Sequence, residues 1–322
     1  MNILKIEAGR EAIRLYTDAD GEVIVRERVA TVGGKPGRQL SVVKTQAKGG
    51  VIELPRQHAD GHDTVQAGDA RAEGVCYVTD VAADVPENTS PYPQPATIKT
   101  LDGSSEVLEK LGIRQGLLNV NLPNLMTTVP GDDTIDYAFN GRTYYFRRSA
   151  VEAVDRHMLS VPMTTMILLN SPKLFGSTGE KELLDSCIHP HYDWNCPNAY
   201  ISAFDMETEE GQNYYGAFVE FLVQRYTRPD NRYGRAVGAI VSNEVNSQYV
   251  WGNAGEMPVE QYVREYAQAL RLTWLCGQKH CSHFRVYISL DQFWCGANFD
   301  ASKPGRYYSG RTMLELLNTF LW

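Results

Sequence analysis

The residues best placed to do chemistry lie in Ala239-Ile-Val-Ser-Asn-Glu-Val-Asn-Ser247. A run of small and apolar residues, Gly238 to Val241, leads straight into the polar cluster Ser242, Asn243, Glu244 and Asn246. That pattern suits a buried parallel strand whose C-terminal end delivers a side chain into a cleft. A Glu there can protonate a glycosidic oxygen, and a neighbouring Asn can hydrogen-bond a sugar 2-hydroxyl in the transition state. Glu244 is therefore the first catalytic candidate. The competing reading is a structural acid paired with Arg or Lys near the strand ends. Asn243 and Asn246 contact the sugar on the first reading and tie down loop backbone on the second. Hydrolysis needs a second carboxylate, about 5–5.5 Å away for retention or about 6.5–9.5 Å away for inversion. Asp205, Glu207 and Asp291 are available, and Asp291, at the end of the next strand, is the favoured partner.

Other side chains offer binding rather than bond breaking. Trp251, Trp294 and Phe293 present ring faces that stack on sugars or pack into core and loop. Asn119 and Asn121 stand at the end of an earlier strand, as ligand contacts or as satisfied buried amides. His189-Pro-His191 with Asp193 invites a zinc reading. Proline separates the two histidines, however, and no flanking strand sets them on one face, so substrate contact or loop structure is expected instead. Cys276, His280, Cys281 and His283 form a second cluster whose spacing fits no usual zinc finger. No metal and no cofactor is expected. Gly-x-Gly-x-x-Gly and P-loop patterns are absent, as is a Gly-x-Ser-x-Gly elbow.

The elements that position these residues alternate. After Pro86-Glu-Asn-Thr-Ser-Pro-Tyr-Pro-Gln-Pro95, a connector too proline-rich for helix or central strand, βα order begins. Expected strands are 116–122, 163–169, 199–204, 237–241 and 284–290. Expected helices are 105–111, 149–159, 210–226, 258–274 and one opening at Ser309 or Gly310. Ser149 with Glu152 reads as a capping box. Asn140-Gly141 reads as the turn of an inserted hairpin, 135–147. The loop 172–198 is long enough to be functional. Before the connector, residues 1–97 read as a β-rich domain, a small sandwich or cap. There Asp20-Gly21 marks a hairpin between 12–16 and 22–28.

A right-handed βα series closes as a barrel at eight units. Five units make residues 98–322 an incomplete (β/α)8 TIM-barrel type: a further C-terminal segment or another chain completes it, or the sheet is open, with strand edges that invite self-association. A net charge of −8 argues against nucleic-acid or anionic-membrane partners. No apolar run is long enough for a transmembrane helix. Met1 to Arg10 lacks a signal-peptide core, which fits a cytoplasmic chain or a secreted one already processed. Cys76, Cys187, Cys196, Cys276, Cys281 and Cys295 are too few for a disulfide framework. Cys187 and Cys196 flank one loop and are the pair that could bridge; free buried thiols are the expectation.

Beyond the Asn-Glu pair, Glu209-Glu-Gly211, Tyr226-Thr-Arg-Pro-Asp230, Tyr233-Gly-Arg235 and Val286-Tyr-Ile-Ser-Leu-Asp291 complete a pattern across residues 98–322. It resembles clan-A glycoside hydrolases, and within them a largely uncharacterised microbial family of glycosidase-type barrels. The resemblance implies a barrel, Glu244 as acid/base after strand four, and a nucleophile from strand seven, beyond Trp322. The expected function is hydrolysis of a poly- or oligosaccharide. The alternatives are a non-catalytic carbohydrate-binding barrel or inactive fragment, and a metal-dependent hydrolase using the His189/His191 loop.

Overall fold

Alternation of buried and exposed residues builds the first part of the chain. In Ala12–Thr17, Ile13 and Leu15 point inward while Arg14 is exposed. In Gly21–Val29, Val23, Val25 and Glu27 point inward. The computed structural model describes residues 1–9, 11–29, 35–57, 63–68, 75–77, 100–173, 180–297 and 302–321. The chain divides into two compact units, Met1–Pro86 and Glu87–Trp322. The proline-rich connector lies outside the described residues.

The first unit holds β1 (Ile3–Ala8), β2 (Ala12–Thr17), β3 (Gly21–Val29), β4 (Gln39–Ala47), β5 (Val51–Pro55), β6 (Asp63–Ala67) and β7 (Val75–Tyr77). They form two antiparallel sheets, ordered β1-β2-β5 and β4-β3-β6-β7. The expected hairpin at Asp20-Gly21 is not formed, because β2 and β3 belong to different sheets. The Asp20 carboxylate instead accepts the Gly49 N–H at 2.9 Å, so this corner carries the chain between sheets. Glu27 is only 2% exposed. Its carboxylate accepts from Ser41 Oγ at 2.6 Å and from the Gln57 N–H at 2.9 Å, which makes its burial tolerable.

The second unit begins with β8 (Thr100–Leu101), α1 (Ser105–Lys110), β9 (Gln115–Asn121), α2 (Leu122–Leu125) and β10 (Met126–Thr127). Next come β11 (Thr134–Phe139), β12 (Arg142–Arg147), α3 (Arg148–Ser160), β13 (Met163–Leu169), α4 (Lys181–Cys187) and α5 (Glu209–Tyr226). It ends with β14 (Ala236–Val241), α6 (Gln248–Trp251), α7 (Val259–His280), β15 (Arg285–Tyr287) and α8 (Gly310–Phe320). Strands β8, β9, β13, β14 and β15 form one parallel sheet whose spatial order is the chain order. Consecutive parallel strands joined through helices are βα-unit architecture. The sheet is open at β8 and β15, and no closed barrel forms among the described residues.

The strand count needs one correction. Ala199 to Phe204 is not a strand of this sheet; it makes isolated bridges, Ile188 to Phe204 and Ser202 to Asn253. Its apolar alternation buries Ala199, Ile201 and Phe204 in loop packing instead. The two-residue β8 is too short to show any periodicity, yet it takes the first place in the sheet. β14 is thus fourth in either count.

Helix α5 is buried nearly all round, because the hairpin β11–β12 covers the side that would otherwise face water. Phe146 stacks on Phe221 with centroids 3.9 Å apart, and Tyr137 meets the same ring edge-on at 5.5 Å. Asn140 and Gly141 have φ of 47° and 73°, as a two-residue hairpin turn requires. Helix α3 starts at Arg148 without a side-chain cap. Ser149 bonds Asp133 at 3.3 Å instead, so the expected capping box does not form.

Two stability predictions arise here. Gly234 has φ of 90°, and an added Cβ would run into the Met158 backbone. Gly234→Ala is expected to cost at least about 1–3 kcal/mol in urea unfolding; an unchanged midpoint would contradict that account. Glu180 accepts from the Thr128 N–H and Oγ, both at 2.8 Å, and pairs with Arg147 at 3.1 Å. Burial alone would raise its pKa, but hydrogen bonds from Thr127 and Thr128 and the Arg147 charge together bring it down to about 2. A depressed carboxylate adds stability above its unfolded pKa and loses it as pH falls toward the folded one. The protein should therefore lose stability between about pH 4.5 and 2. Glu180→Gln should flatten that limb while lowering stability at pH 7, as equilibrium unfolding against pH would show.

Candidate active site

Glu244 lies just beyond the C-terminal end of β14. Its backbone is left-handed, with φ 41° and ψ 49°, and Ser242 has φ of 60°. Two non-glycine residues in this conformation within three positions are costly, and such outliers cluster at functional sites. What holds them is the segment after β15. The Glu244 N–H donates to Ser289 Oγ at 3.2 Å, and the Val245 N–H donates to the Ser289 carbonyl at 3.0 Å. Ser289 Oγ in turn donates to Asn243 Oδ1 at 3.3 Å.

Asp291 completes the staple. It exchanges hydrogen bonds with Asn246: Nδ2 donates to its carboxylate at 2.6 Å, and its own N–H donates to Asn246 Oδ1 at 2.8 Å. Ser247 Oγ and the Phe293 N–H also donate to it. Asn246 is fully buried, and its amide is engaged by Asp291. The Glu244 carboxyl is left half-buried at the strand end. Burial first, and the negative charge of Asp291 second, push its pKa above the ordinary value. Both effects favour the protonated form of this carboxyl at the sheet end.

The structure thus brings Glu244, Asn243, Asn246 and Asp291 into one cluster. Trp251 is joined to it through its carbonyl, which accepts from Ser242 Oγ at 3.0 Å, and its ring lies 5.4 Å from Tyr200. Trp294 is 51% exposed, and its carbonyl accepts the Arg311 N–H at the start of α8. Asn119 stands in mid-sheet, exposed, in the row Asn119, Ile167, Ile240, Tyr287. Asn121 is a satisfied amide that locks the end of β13, bonding Ser171 N–H at 2.7 Å and its carbonyl at 2.9 Å.

His189 and His191 enter a second cluster, and Asp193 does not join them. The Asp193 carboxylate bonds Tyr249 OH at 2.6 Å and the Asn195 N–H at 2.9 Å. His189 Nε2 is 2.9 Å from Glu265 Oε2, and His191 Nε2 is 3.4 Å from Glu207 Oε2. His189, Glu207 and Glu265 bring one potential ligand atom each to within 4.8 Å of one another. A small cavity lined by Phe204, Ser242, Tyr262, Glu265 and Tyr266 runs between this cluster and the end of β14. Glu265 and Ser289 were missed in the sequence. Glu265 sits among ordinary helix residues of α7, and Ser289 falls within the expected strand 284–290. Cys187 and Cys196 are free thiols, and burial pushes the Cys187 thiol up.

Comparison with known proteins decides the family. A model described as "Family of unknown function (DUF5722)" matches residues 91–321. The chain belongs to this family. The matched region contains every catalytic and binding candidate named above. No curated protein matches the chain. A crystal structure of a carbohydrate esterase family 2 enzyme plus carbohydrate binding domain from Corynascus thermopiles (Myceliophthora fergusii) aligns at 13% identity. That alignment covers 98% of this chain and 80% of the other at a TM-score of 0.24, a likeness too slight to carry fold or function. No helix among the described residues is long and apolar enough to cross a membrane.

Proposed function

We propose that this chain is a glycoside hydrolase acting on a poly- or oligosaccharide, with Glu244 as the proton donor. One observation carries the reading. A carboxyl with a raised pKa stands on strained, externally braced backbone just beyond the C-terminal end of the fourth parallel strand. In βα barrels, catalytic side chains come from that end of the strands. We infer that β8, β9, β13, β14 and β15 are five units of such a barrel.

On this reading Glu244 gives its proton to the departing glycosidic oxygen, and Asn243 beside it faces the sugar hydroxyls. Asp291 is the second carboxylate. Its negative charge, second to burial, favours the protonated form of Glu244. Its hydrogen bonds to Asn246 and Ser247 fix the distance over which that charge acts.

Those same bonds favour a second reading. A carboxylate engaged by three donors is a weak nucleophile, so the cleft would bind carbohydrate without cleaving it. Incubation with a panel of polysaccharides and aryl glycosides separates the two. Release of reducing ends or aglycone supports hydrolysis. Saturable binding with no release supports the binding protein, and neither result with any member would remove both.

A further inference from the structure

We propose that Glu207, Glu265 and His191 bind a divalent cation, with His189 orienting Glu265 from behind. The three ligands come from separate segments: the turn after α4, the turn before α5, and the second turn of α7. The carboxylates converge closely. Gln261 Nε2 lies 3.2 Å from Oε1 of both Glu207 and Glu265, so a single atom already bridges the pair. Their side chains are 20% and 11% exposed. The basic side chains that pair with them among the described residues are the imidazoles of His191 and His189.

Two carboxylates so close and so little hydrated need a positive charge between them, either a proton or a metal ion. Asp205 does not compete for the ion. It accepts the N–H groups of Glu207 at 2.9 Å and Thr208 at 3.1 Å, and so braces Thr208, the N-cap of α5.

The hydrogen bonds assign the two histidines different roles. His189 Nδ1 accepts the His191 N–H at 3.2 Å, so its proton belongs on Nε2 and is donated to Glu265 Oε2. An imidazole in that tautomer has no lone pair for a metal. It is the outer partner that fixes a ligating carboxylate. His191 has no such constraint. Its Nε2 is 3.4 Å from Glu207 Oε2, and its side chain is 61% exposed, which gives an ion and its waters a route from solvent. Two carboxylates with one imidazole and open positions suit Zn²⁺ or Mn²⁺. The bound ion would fasten three segments next to the cavity that also touches Ser242.

The test uses the full chain stripped with chelator. Zn²⁺ alone, then Mn²⁺ alone, is titrated by calorimetry at pH 7.5 and 5.5, and the melting temperature is recorded with and without metal. Expected is one equivalent bound, weaker at pH 5.5, with proton release and a rise in melting temperature. Glu207→Gln and His191→Ala should each weaken binding by about 10–100-fold or more, while both variants stay folded. The Mn²⁺ arm excludes zinc captured by the exposed Cys295 thiol. Binding unchanged in both variants, or no binding of either ion below millimolar concentration, would overturn the proposal. The outcome does not depend on glycosidase activity.

Discussion

Glu244→Gln is expected to lower the rate of glycoside hydrolysis by about 10²–10⁴-fold, the usual contribution of a positioned general acid. The substitution keeps side-chain size and leaves untouched the backbone N–H that bonds Ser289. The loss should therefore fall on chemistry and not on folding. Its pH dependence has a definite sign. The acid must be protonated to act, and burial together with Asp291 raises its pKa. The alkaline limb of the rate profile should therefore lie higher than for an ordinary Glu and should vanish in the variant. Asp291→Asn removes the neighbouring charge and should move the wild-type limb downward. A fall of less than about tenfold for Glu244→Gln would place Glu244 among structural acids.

Asp155→Ala should cost about 3–5 kcal/mol, the effect of breaking a buried ion pair from one side. Asp155 on α3 accepts Arg225 Nε at 2.8 Å, Arg225 Nη2 at 2.6 Å and Tyr226 OH at 2.8 Å, both partners lying on α5. The two ionic side chains are 13% and 15% exposed. The Arg225 guanidinium also lies 3.5 Å from the centroid of the Tyr233 ring, which holds it in place once its partner is gone. The variant would strand that charge and a buried hydroxyl. Urea unfolding measures the cost, and a loss below about 1 kcal/mol would mean that the pair behaves like a surface contact. Replacing Asp155 and Arg225 together by Leu and Met should recover much of the loss, because the uncompensated charge is then absent.

These elements were unequally legible in the sequence. Met163–Leu169 and Glu209–Tyr226 could be read almost to the residue, because continuous apolar runs and helical spacing are local signals. Asn140-Gly141 gave its hairpin for the same reason. The failures were non-local. Ala199 to Phe204 carries a strand-like pattern, but its partners are loops, and only tertiary packing decides that. Asp20-Gly21 has the chemistry of a hairpin, yet which strands pair depends on residues far along the chain.

The position of Glu244 and Asn243 just past the end of a buried strand was legible, because the apolar run before them is a local signal. The braces were not. Ser289, which carries the backbone of Glu244, is an ordinary serine until the fold places it there. His189 and His191 stand out through their spacing, but Glu207, the partner of His191, lies 16 residues further on, and Glu265, the partner of His189, lies 76 residues further on. Asp193, two residues after His191 and the third member of the zinc pattern set aside in the sequence, is turned toward Tyr249.

The measurement that tests the central claim most directly compares wild type and Glu244→Gln on two glycosides of one sugar. One has a sugar or alkyl leaving group, which needs a proton to depart. The other has a dinitrophenyl leaving group, which does not. If Glu244 is the proton donor, the variant loses about 10²–10⁴-fold on the first and retains most of its bond-cleavage rate on the second. Equal losses on both, or no loss on either, would contradict that assignment.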